Sequence, residues 1–468
     1  MFVEQFVDAG LGNSSYLVGS EESGVAVVID PTRDAEIFAR LALEKGVRIT
    51  HVLETHLHAD FVSGSRELAA RTGAIICASA AADLQFEHKP LREGDKIEVA
   101  DLIFQVMETP GHSPEHISFL AVEPGTGRPI ALFSGGALIV GGAARTDLLG
   151  PEQTRPLAHQ LYHTMREKLS VLPDDLAVYP THGSGSFCVA PASDERVTTL
   201  RAERRSNPLL RASSEEAFVE RALEGLPSYP TYFNRLRAVN QRGPSVLGGA
   251  PILPPLSPQE VKRLMEEGAL VVDTRPGPAY ASGHIPGSYG VPLRDAFATW
   301  VGWVVPPDRP LIIVSSGRET HHEIARQLVG IGYDNLAGFL EGCIAAWGGE
   351  AGFPVSSIEV VNVSELKERL ASPDPPLVLD VRQDSEWADG HIPGAVHIEG
   401  GSLPQETDEL PRDRTIAAHC GSHSRSATAL SVLERQGFQK LALIHDGWSA
   451  WEKAGYKVEK PKSAGDKS

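Results

Sequence analysis

Cys420-Gly421-Ser422-His423-Ser424-Arg425 is the stretch from which the C-terminal half of the chain can be read. At one constant offset upstream, Ser316 stands where Cys420 does, Gly317 where Gly421 does and Trp347 where Trp451 does. Asp380-Val381-Arg382 likewise repeats Asp273-Thr274-Arg275, and His391-Ile392-Pro393-Gly394 repeats His284-Ile285-Pro286-Gly287 at a slightly different offset. A repeat of this length is a duplicated domain, too long for a solenoid unit. Two copies stand in tandem, and only the second carries a thiol in this loop.

Working outward, the repeats cover residues 257–353 and 361–459, each opening with a Ser-initiated helix start (Ser257-Pro258-Gln259-Glu260 and Ser364-Glu365-Leu366-Lys367) before a buried strand. Ahead of them a Gly/Pro-dense linker, Gly243-Pro244 through Pro254-Pro255, closes a first domain of residues 1–243. Short apolar runs such as Val25–Asp30 and Ile49–Leu53 alternate there with helical patterns such as Ser65–Thr72, a mixed α/β reading. The tail from Lys460 is polar and lysine-rich.

The 468 residues suffice for three domains, each with its own core. A hydrophobic content of 41% with 22% charged residues is that of a soluble globular protein. The net charge of −18 argues against a nucleic-acid surface and against an anionic membrane. Cys77, Cys188, Cys343 and Cys420 are scattered without CxxC spacing, which is neither a disulfide framework nor a zinc ribbon. No signal peptide is evident and no apolar run reaches the roughly 18 residues of a membrane span, so a cytoplasmic location is expected. A homo-oligomer is the base-rate expectation.

In the first domain Thr55-His56-Leu57-His58-Ala59-Asp60 follows an apolar strand, so two imidazoles and a carboxylate surround one loop, as a metal site requires. His112, in Thr109-Pro110-Gly111-His112-Ser113, and His182, in Tyr179-Pro180-Thr181-His182-Gly183, sit on other loops that could supply further ligands. Taken with Leu132–Gly150, these segments resemble the metallo-β-lactamase fold, and within it persulfide dioxygenases and glyoxalase II-like hydrolases. The resemblance implies an αββα sandwich with a metal at one edge of the sheets. It further implies one Fe(II) per chain, held by two histidines and an aspartate that match His56, His112 and position 136.

Two departures bear on that site. Position 136 is Gly, which breaks a two-His-one-carboxylate triad, and position 61 is Phe, which removes a ligand of a second metal. Three arrangements are therefore open: His58 joining His56 and His112, a carboxylate such as Asp60 or Asp147 moving in, or no metal. The expected set is His56, His58 and His112, with Asp60, Asp147 and His182 as neighbours or substitutes.

The second repeat, through Asp380-Val381-Arg382, His391-Ile392-Pro393-Gly394, the Cys420–Arg425 loop and Gly447-Trp448-Ser449-Ala450-Trp451, resembles the rhodanese family, α/β domains with parallel central sheets. A strand ending at Cys420 and a turn into a helix beginning near Ser426 aim backbone N–H groups at the sulfur, stabilising a thiolate and then a persulfide. Cys420 is the expected nucleophile, Gly421, Ser422, His423 and Ser424 its loop, and Arg425 the residue that orients an anionic donor or steadies that loop. Asp380 and Arg382 read as structural. Serine is a poor sulfur acceptor, so the first repeat reads as inactive.

The expected activity is a persulfide dioxygenase–sulfurtransferase acting on low-molecular-weight thiol persulfides, with thiosulfate or sulfite as partners. The alternatives are a zinc thioester hydrolase with a rhodanese module, and a metal-free first domain beside a sulfurtransferase.

Overall fold

The computed structural model describes residues 1–188 and 194–460; most of the lysine-rich tail lies outside them. The chain divides into two compact units, the first built on Met1–Ala250.

The first unit contains two six-stranded sheets. In one, Phe2–Asp8, Asn13–Ser20 and Val25–Ile29 are joined antiparallel, and Arg48–Leu53, Ile75–Ser79 and Lys89–Leu91 continue parallel. The other runs mainly antiparallel from Lys96–Val99 through Leu102–Glu108, Ile117–Val122 and Pro129–Gly135, with Ala177–Pro180 added parallel. Strand alternation sends one side chain set inward: Tyr16, Val18, Val27 and Ile29 meet Phe104, Val106, Phe119 and Phe133 between the sheets. The opposite faces are covered by helices. Phe38 and Leu68 pack on Leu17, Ala26 and Val28, while Ala158, Leu161 and Phe218 belong to the layer over Leu132 and Val178. This is the expected αββα sandwich.

The second unit holds two five-stranded parallel sheets with matching strand order. Pro255–Leu256, Leu336–Leu340, Leu311–Val314, Leu270–Asp273 and Tyr289–Gly290 form one. Glu359–Val361, Leu441–Ile444, Ile416–His419, Leu377–Asp380 and Val396–His397 form the other. The side-chain scaffold is duplicated as well. Arg275 clasps Asp273 and the Gly283 carbonyl at 2.6 and 2.7 Å, and Arg382 clasps Asp380 and the Gly390 carbonyl at the same distances.

One helix start differs from expectation. Ser257 caps its helix in a reciprocal box with Glu260, as its sequence suggests. In the second repeat the cap is Asn362, not Ser364: Asn362 accepts from the Glu365 N–H at 2.9 Å, and the Glu365 carboxylate accepts from the Asn362 N–H at 3.0 Å. Glu365 is the residue that closes a box, so the cap falls three positions before it.

Candidate functional site

Five histidines of the first unit, His56, His58, His112, His116 and His182, are buried. Each lies on a loop leaving or joining strands: His56 and His58 after Arg48–Leu53, His112 and His116 before Ile117–Val122, and His182 after Ala177–Pro180. Arg48–Leu53 and Ala177–Pro180 carry their loops at carboxyl ends, and Ile117–Val122, antiparallel to Pro129–Gly135, receives its loop at the amino end, so the loops meet at one edge of the sandwich.

Three of the rings converge. One ligand nitrogen from each of His56, His112 and His182 lies within 4.8 Å of the others. The Nε2 atoms of His56 and His182 are 3.3 Å apart. The opposite nitrogen of each ring is occupied. His112 Nδ1 donates to the Arg145 carbonyl at 2.7 Å, and His182 Nδ1 pairs with Asn13 Oδ1 at 3.1 Å. His56 Nδ1 contacts Thr55 Oγ1 at 2.8 Å, and that hydroxyl donates to Asp30 at 2.7 Å. Such outer partners fix tautomer and ring direction, leaving Nε2 for a ligand.

Burial pushes the His112 imidazolium down to about 3, with the neighbouring His182 adding to it, and holds His56 well below its ordinary range. Both rings are therefore neutral at physiological pH, the state a metal binds. The donor set fits a metal ion, and imidazole nitrogens suit iron or zinc.

His58, expected as the third ligand, falls in a different group, with Asp30 and His56, whose ligand atoms also lie within 4.8 Å of one another. Its Nε2 stands 3.3 Å from Asp30 and 3.2 Å from Glu54. Burial alone would disfavour its charge, but the two carboxylates outweigh that and raise it to about 10. Phe61 stacks on this ring, centroids 4.2 Å apart. His58 thus faces two buried acids, and the nitrogen that converges with those of His56 and His112 comes from His182.

Of the expected substitute carboxylates Asp147 is committed, while Asp60 groups with His182 and Cys188 within 4.8 Å and its buried Oδ1 has no hydrogen-bond partner among the described residues. Asp60 accepts from Asn13 Nδ2 at 2.8 Å and lies 3.4 Å from His182 Nδ1, so it orients that ring from behind. Asp147 is clasped bidentately by Arg145 at 2.6 and 2.7 Å. Gly136 does not have the left-handed conformation that its neighbour Gly135 adopts at φ 56°. A Cβ on it would instead meet His112 Cδ2 at 2.7 Å. The space of an aspartate side chain is filled by the His112 ring, and the Gly136 N–H donates to His116 Nε2 at 2.9 Å.

Asp30, Glu54, Thr55, Asn13 and His116 escaped the sequence reading. Asp30 had the best signal, an acid directly after the buried strand Val25–Ile29; its φ of 48° is unusual for a non-glycine residue.

In the second repeat Cys420 follows the central strand Ile416–His419 at its carboxyl end, where open parallel sheets bind ligands. The helix begins at Ser424, two residues before the expected start, so Arg425 sits in its first turn. Cys420 is 1% exposed, with Sγ 3.7 Å from Ser426 Oγ. The loop carbonyls face away from it: Trp448 N–H donates to the Cys420 carbonyl at 2.8 Å and the Ser449 hydroxyl to that of Gly421 at 3.1 Å. Among the described residues the N–H groups of Gly421, Ser422 and His423 have no protein acceptor. They form an anion-ready nest. Arg425 is held by Glu386 in a bidentate pair at 2.5 and 2.8 Å.

In the first repeat Cys343 aligns with Gly447, and both are left-handed, at φ 55° and 60°. A Cβ at 447 would lie 2.6 Å from the Cys420 carbonyl oxygen. The Cys420 loop closes onto a position that only glycine can fill.

Residues 8–182 match the model of the metallo-beta-lactamase superfamily. The mitochondrial persulfide dioxygenase ETHE1 of Homo sapiens is 34% identical over 208 residues, which is 43% of this chain and 73% of that protein. The chain belongs to the metallo-beta-lactamase superfamily. Its later residues, 257–350 and 362–454, match the rhodanese-like domain twice. A hydroxyacylglutathione hydrolase from Polaromonas is 32% identical over 261 residues, 49% of this chain and 95% of that protein. A metallo-beta-lactamase crystal structure from Staphylococcus aureus superposes with a TM-score of 0.65 at 31% identity, covering 72% of this chain and 98% of that one. A metallo-beta-lactamase domain with persulfide dioxygenase and hydroxyacylglutathione hydrolase relatives is therefore joined to two rhodanese-like domains. Among the described residues no helix is long and apolar enough to cross a membrane.

Proposed function

We propose that the protein oxidises a low-molecular-weight thiol persulfide in its first unit and transfers sulfane sulfur through Cys420 in its second. The observation that carries the reading is the convergence of three buried imidazoles whose outer nitrogens are already held. His56, His112 and His182 would hold one Fe(II), which when bound supplies the means for O2 to oxidise sulfur. In net terms, a persulfide, O2 and water give thiol and sulfite; the terminal sulfur is oxidised, O2 is reduced and protons are released. The chain's own residues keep the site dry and rigid: Phe61 covers His58, and Asp60 with Asn13 fixes His182.

At the second site Cys420 thiolate takes the outer sulfur of a persulfide or thiosulfate and becomes a cysteine persulfide. Unpaired N–H groups of Gly421, Ser422 and His423 stabilise the anion at both stages. Tethering the two sites raises the local concentration of the sulfur species they share. Four free cysteines support a reducing compartment, the cytoplasm.

The test is iron per chain in protein purified anaerobically, with oxygen uptake on a thiol persulfide. Iron and uptake together support the reading. Zinc with thioester cleavage would replace it by the hydrolase activity that a glyoxalase II-like site performs.

A further inference from the structure

The repeat whose loop carries Ser316 instead of a thiol borders the loop that has one. A Cβ on Gly277 of the first repeat would lie 3.2 Å from the His423 ring and 3.1 Å from Ala427. Trp300 stands 3.1 Å from a Cβ placed on Gly400, and Trp303 occupies the space of one on Gly401. Cross-repeat polar contacts lock this seam: His284 Nε2 pairs with Glu434 at 2.8 Å, and the Arg435 guanidinium lies 4.1 Å from the Tyr289 ring centroid.

On this seam stands Arg294, an exposed first-repeat residue whose guanidinium lies 5.8 Å from the Trp300 ring centroid. Its backbone carbonyl is held by Gln327 Nε2 at 3.2 Å. The side chain has no carboxylate partner among the described residues, and Cys420 and Arg425 lie within its electrostatic reach. Arg425, by contrast, is neutralised by Glu386 at 2.5 and 2.8 Å. The cation nearest in sequence to the nucleophile is shared between the Cys420 thiol and a carboxylate, and the one from the other repeat has no carboxylate to share.

We infer that Arg294 is the anion-binding residue of the sulfur-transfer site, contributed by the inactive repeat to hold the sulfonate end of a donor such as thiosulfate over Cys420. The inference deepens the sulfurtransferase reading and rests on it. The transfer balances without a further reagent. Cys420 thiolate attacks the outer sulfur of thiosulfate, an S–S bond forms to Cys420, and the bond to the sulfonate sulfur breaks. That bond's electron pair leaves with sulfite, so a thiolate and a dianion become a persulfide anion and a dianion. Two anions must approach one another, and a guanidinium at the rim lowers that repulsion for the donor as a whole. The seam also gives the inactive repeat a role, because Trp300, beside Arg294, and Trp303 pack against the second repeat.

The test uses the full chain and the variants Arg294→Gln and Arg294→Lys, with two readouts. In steady state, Arg294→Gln should raise the KM for thiosulfate on the order of tenfold, with kcat changed by less than about threefold, and Arg294→Lys should recover most of the loss. Separately, alkylation of Cys420 is followed by mass spectrometry with iodoacetate and with iodoacetamide. Arg294→Gln should slow the anionic reagent several-fold more than the neutral one. An unchanged reagent ratio, or an equal slowing of both, overturns the inference. The alkylation ratio decides Arg294 even if wild-type protein shows no sulfur transfer, an outcome that would instead overturn the sulfurtransferase reading.

Discussion

His182 Nε2 stands 3.3 Å from His56 Nε2, while His58, two residues along from His56, is turned into the carboxylates of Asp30 and Glu54. Sequence neighbours are thus separated in role, and loops 126 residues apart share one.

His182→Ala should strip the metal about as completely as His56→Ala or His112→Ala, leaving at most about a tenth of wild-type iron. His58→Ala should retain most iron but lose roughly 3 kcal/mol or more of stability, because it leaves Asp30 and Glu54 buried without their cation. Iron analysis and chemical denaturation separate the two classes. Full iron in His182→Ala would sink this ligand set.

Gly136→Asp should not tighten metal binding. The new Cβ would lie 2.7 Å from His112 Cδ2, so the ring must shift and its bond to the Arg145 carbonyl is lost. The expected result is less iron per chain than wild type and a destabilisation of about 1–3 kcal/mol. A gain in iron would show that the loop relaxes freely.

Cys420→Ser should abolish thiosulfate and persulfide sulfur transfer, leaving oxygen uptake on a thiol persulfide and the fold unchanged. Near wild-type transfer would mean the nucleophile lies elsewhere.

Gly447→Ala should cut sulfur transfer at least about tenfold, with iron content unaffected. Alanine there must accept φ 60° and a contact of 2.6 Å to the Cys420 carbonyl, so the loop opens and its N–H groups lose their aim. The readout is transferase kcat beside iron per chain.

Glu386→Gln should weaken the second unit by roughly 1 kcal/mol at pH 7, since Arg425 loses its partner. Burial opposes the Glu386 charge, but Arg425 outweighs it and holds the carboxyl below its ordinary range. A group lowered in the folded state stabilises above its unfolded value, near pH 4.3, and that contribution disappears as pH falls through the folded value. The difference between wild type and variant in denaturant midpoints should therefore shrink below about pH 4. A gap that persists into strong acid would show that the pair is not electrostatic in origin.

The duplicated domain and the one thiol in its paired loops follow from residue order, because a persistent repeat and a strand–loop–helix signature are local; the parallel sheets are implied through the rhodanese resemblance. Asp380-Val381-Arg382 and Asp273-Thr274-Arg275 are legible for the same reason: partners two residues apart find each other within one turn of chain. The mixed α/β character of the first unit is legible too, since apolar runs and helical patterns are written in the sequence itself; the sandwich is implied only through the resemblance its histidine motifs carry.

Which histidines meet was decided only by tertiary structure. His56 and His58 are alike in sequence, but Asp30, at the end of another strand, draws one of them away, and the Ala177–Pro180 strand delivers His182 in its place. The same holds for the seam on which Arg294 stands, which depends on how Trp300 and Trp303 of one repeat seat against Gly400 and Gly401 of the other. Spacing along a chain governs what a segment can form; packing of distant segments governs which charges must neutralise one another, and that choice assigned the site.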